Sequence, residues 1–184
     1  MGKRLFDIIF SLVALLSLFP ILIIICLLIK LFDTGPIIYK QKRIGLNSKI
    51  FIMYKLRSMP VNTFNIPSNK IKKLKLNWIN KFIRRTNIDE VPQLINILKG
   101  DMSIVGPRPA LPSQKNLIKY RKRTRILFFR PGLTGLAQIS SYDGMKDIEK
   151  VNFDKKYTHS VSFKKDLLII LNTFKYLLKP PPVY

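Results

Sequence analysis

Two adjacent acidic residues, Asp89 and Glu90, are the side chains whose type and spacing best suit them to catalysis. They lie in a strongly basic tract, because residues 34–142 contain 22 lysines and arginines but only three acids, two of which are this pair. A carboxylate beside a phosphoanhydride can act as a nucleophile, and its neighbour can bind a Mg²⁺ ion that bridges it to a diphosphate. The alternative is structural, because acids at a helix start also offset the helix dipole.

Arginines accompany this pair in the sequence. Arg84 and Arg85 shortly precede it, and three more arginines adjoin turn signals: Arg57, Arg108 and Arg130. A guanidinium group can bind a phosphate through two hydrogen bonds at once. Two carboxylates among several arginines therefore predict a site for a phosphorylated, metal-bound ligand.

Composition narrows the class of protein. The chain has 184 residues, which suggests one domain, and a net charge of +23, which calls for an anionic partner such as nucleic acid, a phosphorylated substrate or a membrane surface. Its single cysteine, Cys26, excludes an intramolecular disulfide framework and a cysteine zinc site. The single histidine, His159, argues against a Ser-His triad, and we expect it to be a surface or hinge residue.

The N-terminal segment has the composition of a membrane anchor. Residues 8–29 form a charge-free run of 22 residues, long enough as a helix to cross the hydrocarbon core of a bilayer. Pro20 lies near its middle and predicts a break, and both flanks are basic, which favours keeping both ends in the cytoplasm. We therefore predict a re-entrant helix in residues 1–32 and a cytosolic catalytic domain in residues 33–184. A kinked spanning helix is the alternative.

The remaining patterns predict an α+β domain with amphipathic helices at the membrane interface. A capping-box-like start at Asn87 and Glu90 predicts one helix from Asn87 to Gly100, with the acidic pair at its N-terminus. A mixed-charge stretch that includes Asp154 is expected to be solvated. The other predicted elements are strands at 37–39, 49–54 and 136–139, a short strand ending at 105, and helices at 78–85, 114–129 and 163–179. The apolar side of the last helix faces either the core or the membrane surface.

Several motifs in order give the chain a recognisable signature. The N-terminal K-R-L-F-D and the proline-broken apolar run are followed by Q-K-R-I-G at 41–45, Y-K-L-R-S-M at 54–59, residues 84–93, K-G-D-M-S-I-V-G-P-R-P at 99–109 and R-P-G-L-T-G at 130–135. Together they resemble the bacterial sugar transferases, also called monotopic polyprenyl-phosphate phosphoglycosyl transferases, in their short core form. The resemblance runs from Lys3 to about residue 176.

The resemblance implies an activity. Members of the family move a sugar-1-phosphate from a UDP-sugar to polyprenyl (undecaprenyl) phosphate through an aspartyl-phosphosugar intermediate and release UMP. The reaction depends on Mg²⁺ and is the first membrane step of surface glycan assembly. The implied location is the bacterial inner membrane, with the catalytic domain on its cytoplasmic face. No nucleic-acid partner is expected, and a homodimer is left open.

The resemblance also assigns roles to residues. Asp89 and Glu90 are the catalytic pair and the metal ligands, and Pro20 is the break of the membrane helix. The candidate substrate-binding residues are Lys55, Arg57, Arg84, Arg108, Arg130 and Gln138. Phe19 and Leu136 depart from the family pattern, which often has Ser and Trp at these positions.

Two other functions fit parts of the sequence. A membrane-tethered protein that binds nucleic acid or anionic lipid would account for the charge and would show strongly salt-dependent binding. It would leave the acidic pair and the rigid arginine turns unexplained. A metal-dependent phosphohydrolase could use the same two carboxylates, and it would release a sugar phosphate without needing a lipid acceptor.

Overall fold

The first element is a long apolar helix. The computed structural model describes residues 2–32, 35–60, 76–140 and 145–177. Helix α1 covers Gly2–Phe32 and is long and apolar enough to cross a membrane. The helix does not end at Pro20, which lies within it, so the predicted break is not seen as a boundary between two elements. Proline removes one helical hydrogen bond, and the apolar turns on both sides continue the helix.

The N-terminal half of α1 is fixed to the rest of the fold by polar contacts. Arg4 donates from Nη1 to the carbonyl of Ile97 (2.6 Å) and from Nη2 to that of Leu98 (3.0 Å). The Asp7 carboxylate, 2% exposed, accepts from Ser103 Oγ at 2.8 Å and from the Ile104 amide at 3.1 Å. These buried contacts set the position of the helix more specifically than apolar packing alone.

The C-terminal half of α1 also contacts the domain. Ile25 and Ile29 are buried, and they pack in one hydrophobic cluster with three residues from later elements, Leu56, Ile79 and Ile83. A helix that is apolar all round thus buries one stripe on the domain and leaves large side chains such as Leu16 and Phe19 exposed. Both ends of α1 therefore meet the same domain.

A β-hairpin follows α1, as predicted. Strand β1 (Ile38–Ile44) pairs with β2 (Ile50–Leu56) in an antiparallel register that places Tyr39 opposite Lys55. The first strand is longer than the predicted 37–39, because the polar residues after it join the ladder on an exposed edge. The turn between the strands begins at Gly45 and contains a short 3-10 helix, Leu46–Ser48.

The region predicted as one helix from Asn87 to Gly100 is built differently. Helix α2 (Trp78–Thr86) ends at Asn87, whose φ of 52° is left-handed, and a single 3-10 turn (Ile88–Glu90) carries the acidic pair. Helix α3 (Gln93–Lys99) begins only after Pro92 and ends at Gly100, with φ of 91°. The capping-box prediction was therefore wrong, because Asn87 closes α2 and makes no side-chain cap.

Two short parallel strands lie at the centre of the domain. Strand β3 (Ser103–Val105) pairs with β4 (Gly132–Thr134). The backbones approach closely after β3, since a Cβ on Gly106 would lie 2.5 Å from the carbonyl oxygen of Arg130. Only glycine fits there. The predicted strand at 136–139 is instead helix α5 (Leu136–Ser140), because the strand is formed by the preceding residues.

Three more helices complete the fold. The predicted basic helix 114–129 is shorter, because α4 (Lys115–Arg123) ends before Arg125, whose φ of 59° is left-handed, and a 3-10 turn (Ile126–Phe128) follows. Helix α6 covers Asp147–Thr158, and α7 covers Phe163–Leu177. The main core joins α3, β3, α6 and α7, with Ile97, Met102 and Tyr157 among its buried residues.

Helix α7 leaves an apolar face uncovered. Ile169 and Ile170 are buried against the core, whereas the side chains on the neighbouring face are exposed: Leu167, Leu168, Leu171 and Phe174. Much of the apolar surface of α7 therefore lies outside the core. The same is true of Trp78 and Phe82 on α2, which are exposed while Ile79 and Ile83 are buried.

Candidate active site

The acidic pair lies at the meeting point of the hairpin and the 3-10 turn. Asp89 is 9% exposed, and the side chain of Glu90 is 16% exposed. A 3-10 turn is tighter than an α-helix, and here it places two successive carboxylates beside strand β2. The acids lie in this separate turn just before α3 and not within the first turn of α3 itself.

Glu90 binds two cations that come from distant parts of the chain. Its Oε1 accepts from Lys55 Nζ, on β2, at 2.6 Å and from Arg108 Nη2 at 2.9 Å. Arg108 lies in the turn after β3 and is about half exposed. The same Lys55 Nζ lies 4.0 Å from Asp89 Oδ2, so Lys55 spans both carboxylates.

The two carboxyl groups have opposite pKa shifts. Burial raises the pKa of Asp89, and the negative charge of Glu90 adds to this, while Lys55, Arg84 and Arg108 act against it. Burial would also raise the pKa of Glu90, but Arg108 and Lys55 hold it well below its ordinary value. The cations therefore favour the ionised form of Glu90, and Asp89 is the more basic carboxylate of the pair.

The predicted phosphate-binding arginines are not all in the same place. Arg84, in the last turn of α2, is near enough to Asp89 to lower its pKa, as is Arg108. Arg57 is buried directly after β2, two residues from Lys55. The structure therefore brings Lys55, Arg84 and Arg108 around the acidic pair, with Arg57 at the end of the strand that carries Lys55.

Two other predicted residues contact the backbone of other elements. Arg130 donates from Nε to the Gly100 carbonyl at 2.9 Å, at the end of α3 opposite to the acidic pair. Gln138, on α5, donates from Nε2 to the Leu133 carbonyl at 3.3 Å. Their roles in substrate binding stay predictions.

Three polar residues near the Arg108 turn were missed. Arg43 on β1 is close enough to Arg108 and Glu90 to interact with both charges, and burial lowers its pKa to about 10. Arg121 and Asp154 form a buried ion pair at 2.6 Å. Asp154, expected in a solvated stretch, is 2% exposed, because α6 packs this side of the helix against α4. The Q-K-R-I-G motif was the available signal for Arg43.

The acidic pair fits a Mg²⁺ ion carried by a phosphorylated substrate. Carboxylate oxygens are suitable ligands for this ion, which usually takes one or two of them and completes its shell with water and phosphate oxygens. Within residues 2–32, 35–60, 76–140 and 145–177, no group of three or more His, Cys, Asp or Glu side chains could hold a metal. Asp89 and Glu90 are the two carboxylates that could contribute to holding such an ion at this site.

A buried carboxylate pair bordered by lysine and arginine is chemically suited to a phosphorylated ligand. The sequence model of the bacterial sugar transferases matches residues 1–180. The chain therefore belongs to the bacterial sugar transferase family.

Named relatives are similar over most of this chain. It is 42% identical over 161 residues to the galactosyl transferase CpsE of Streptococcus agalactiae and 37% identical over 186 residues to a UDP-glucose:undecaprenyl-phosphate glucose-1-phosphate transferase of Klebsiella pneumoniae. These matches cover 79% and 94% of this chain but only 35% and 39% of the relatives. The exopolysaccharide production protein PSS of Rhizobium leguminosarum is 37% identical, with 93% of this chain and 92% of the relative covered.

Proposed function

We propose that this protein transfers a sugar-1-phosphate from a UDP-sugar to undecaprenyl phosphate and releases UMP. Family membership and the names of two relatives, which are an undecaprenyl-phosphate glucose-1-phosphate transferase and an undecaprenyl-phosphate galactose phosphotransferase, support this reaction class. The observation that carries the proposal is the buried Asp89 carboxylate beside a Glu90 that pairs closely with both Lys55 and Arg108. The sugar is left open.

The first step is displacement at phosphorus. An Asp89 carboxylate oxygen forms a bond to the phosphorus atom that carries the sugar, and the bond from that phosphorus to the bridging oxygen breaks. UMP leaves with the bridging oxygen and its electron pair. Burial favours this role for Asp89, because a carboxylate with a raised pKa is less solvated and more basic than an ordinary one.

The second step returns the nucleophile. A phosphate oxygen of undecaprenyl phosphate bonds to the same phosphorus, and the bond from phosphorus to Asp89 breaks. The products are undecaprenyl-diphosphate-sugar and a free carboxylate. Asp89 lies farther from Lys55 than Glu90 does, at 4.0 Å against 2.6 Å, and this weaker pairing suits the acid that takes part in both displacements.

The surrounding cations supply electrostatic stabilisation. Arg108 and Lys55 carry positive charge beside the place where negative charge grows on the transferring phosphoryl group, and Arg84 adds to it from α2. Asp89 and Glu90 would hold Mg²⁺, which would supply positive charge to stabilise the diphosphate leaving group. Glu90 orients Lys55 and Arg108 before the donor arrives.

The path of α1 supports a monotopic arrangement with the catalytic domain on one face of the membrane. Arg4 and Asp7 near one end of the helix, and Ile25 and Ile29 near the other, all contact the same domain. A helix that crossed the bilayer straight away from the domain would leave one end without such contacts. We therefore retain the re-entrant path as a proposal, with the cytoplasmic face favoured by the basic residues.

A release assay tests the proposed reaction. The detergent-solubilised full chain is incubated with Mg²⁺, undecaprenyl phosphate and a panel of UDP-sugars, and UMP is measured. We expect UMP that requires the lipid, appears with one or a few donors, and is absent with Asp89→Asn. UMP formed equally without lipid would indicate a phosphohydrolase instead. No UMP with any donor, together with tight, salt-sensitive binding to nucleic acid, would favour a binding protein.

A further inference from the structure

The turn that presents Arg108 is held from two sides by other guanidinium groups. Arg121 Nη1 donates to the backbone carbonyl of Arg108 at 2.7 Å, and Arg43 Nη1 donates to the carbonyl of the next residue, Pro109, at 2.9 Å. The two donors come from α4 and β1, which are far apart in the sequence. Successive carbonyls of one short turn are thus fixed by two independent elements.

Each of these guanidinium groups is itself fixed. Arg121 donates from Nε and Nη2 to Asp154 Oδ2, at 2.9 and 2.6 Å, and both side chains are almost fully buried. Arg43 donates from Nε and Nη2 to Gln41 Oε1, at 3.1 and 2.6 Å. A guanidinium group held at two nitrogens has little freedom left, so its third contact is well defined.

The local sequence makes the turn stiff, and backbone bonds hold both of its ends, because the Gly132 amide donates to the Pro107 carbonyl at 3.0 Å and the Ile44 amide donates to the Ala110 carbonyl at 2.9 Å. Prolines flank Arg108 on both sides, and the residue before a proline is confined to extended conformations. Arg121 and Arg43 fix the two carbonyls between these ends, so they set the backbone from which the Arg108 side chain extends. An arginine side chain that is already oriented loses less conformational entropy when it binds the phosphate of the substrate.

We propose that Arg43 and Arg121 are positioning residues that orient Arg108 towards the donor diphosphate. The inference rests on the proposed function, because it names the group that Arg108 meets. Neither arginine needs to touch the substrate, since each acts through a carbonyl of the Arg108 turn. Arg121 and Asp154 work as one unit from α4 and α6, and Arg43 and Gln41 work as another from β1.

The test is a double-mutant cycle on binding and turnover. Arg121→Lys keeps the positive charge beside Asp154 but loses the guanidinium nitrogen that donates to the Arg108 carbonyl. Arg43→Lys keeps the positive charge on β1 but loses the nitrogen that donates to the Pro109 carbonyl. The dissociation constant for UDP is measured by calorimetry with Mg²⁺ present. Each variant should weaken UDP binding about tenfold in the wild-type background, equivalent to about 1.4 kcal/mol. In the Arg108→Ala background, neither should change it by more than about twofold.

A matched control separates positioning from general loss of stability. Lys3→Met removes one partner of another buried carboxylate, Asp166, away from the Arg108 turn; Asp166 keeps its bond from the Tyr157 hydroxyl. Its effect on UDP binding should be the same with Arg108 or Ala at position 108. Arg43 is less buried than Arg121, so Arg43→Lys gives the cycle a second route if Arg121→Lys does not fold.

The outcomes distinguish this inference from the proposed function. Additive losses in the cycle, or wild-type protein that does not bind UDP at millimolar concentration, would overturn the positioning role. Additive losses with lipid-dependent UMP release intact would leave the transferase proposal standing. Non-additive losses in a protein that turns over no donor would support the positioning role and reject the transferase.

Discussion

Glu90 Oε1 lies 2.6 Å from Lys55 Nζ, while the neighbouring Asp89 Oδ2 lies 4.0 Å from the same nitrogen. The two acids are adjacent in sequence but differ in how closely they pair with Lys55. Glu90 is committed to Lys55 and Arg108, and its pKa is lowered by them, whereas burial raises the pKa of Asp89. The carboxylate proposed as nucleophile is thus the one without a close ion pair to Lys55.

The raised pKa of Asp89 predicts the acid side of the pH–rate profile. Attack on phosphorus needs the ionised carboxylate, so kcat/KM should fall as the pH drops through the pKa of Asp89. Since burial raises that pKa above its ordinary value of 3.8, the loss should begin at a higher pH than for an exposed aspartate. Single-turnover UMP release between about pH 4 and 9 measures it. A flat profile down to the ordinary value would contradict the assignment.

Lys55→Met should move this acid limb to higher pH. Lys55 lowers the pKa of Asp89 by its charge, so removing it raises that pKa further. The variant should also lose roughly 10²-fold in kcat/KM, because one cation beside the transferring phosphoryl group is gone. The control is Lys99→Met, because Lys99 is an exposed lysine that donates to the hydroxyl of Tyr54 and contacts neither acid. Its profile should match wild type, and an equal shift in both variants would refute a local effect.

Asp89→Asn should make the folded protein more stable at neutral pH while abolishing transfer. An acid whose pKa is raised by folding holds its proton more tightly in the folded state, so its contribution to stability falls as pH rises through the folded pKa. An asparagine at position 89 does not ionise, so the stability of the variant does not fall in this way as the pH rises. The melting temperature of the variant should therefore exceed that of wild type near pH 7, and the difference should shrink below about pH 4. A variant that is less stable near pH 7 would contradict the raised pKa.

The sequence predicted the structural features that neighbouring residues determine, and it failed for those that depend on residues far apart in the chain. The hairpin was found because Gly45 and two apolar runs define it locally. The predicted capping box at Asn87 was wrong, because it requires the Glu90 carboxylate to accept from the backbone amide of Asn87. In the fold, Lys55 and Arg108 take that carboxylate instead. These partners are 35 and 18 residues away, so no local pattern shows them.

The candidate site shows the same division. The acidic pair and Arg108 stand out by type and motif, and the structure joins them directly. The support beneath Arg108 did not stand out, because Asp154 looks like one acid in a mixed-charge helix. Its burial appears only once α6 packs on α4 and brings Arg121 to it across 33 residues. Residues that position a catalytic group through the backbone leave no spacing pattern of their own.

Asp7→Ala should strongly destabilise the docking of α1 on the domain. It would leave two buried donors, Ser103 Oγ and the Ile104 amide, without their acceptor, at a cost of about 1–3 kcal/mol each. The control on the same helix is Ser17→Ala. The exposed Ser17 hydroxyl donates a hydrogen bond to the Ala14 carbonyl of the same helix, so this change does not remove a contact between α1 and the domain. Thermal unfolding in detergent should show a lower melting temperature for Asp7→Ala alone. Equal melting temperatures would mean that α1 is not held by this contact.

The exposed face of α7 should lie in the membrane interface. Phe174 is 57% exposed on the same side as the exposed Leu171, a pattern expected of an interfacial helix and costly in water. The single native cysteine makes a site-specific test simple: Phe174→Cys and Asn172→Cys are each made with Cys26→Ser and labelled with a polarity-sensitive dye in lipid nanodiscs. Spin-labelled lipid should quench the dye at position 174 and leave the matched position 172, two residues away on a polar side, much less affected. Equal quenching at both positions, or none at 174, would mean that the apolar face of α7 is covered by something other than lipid.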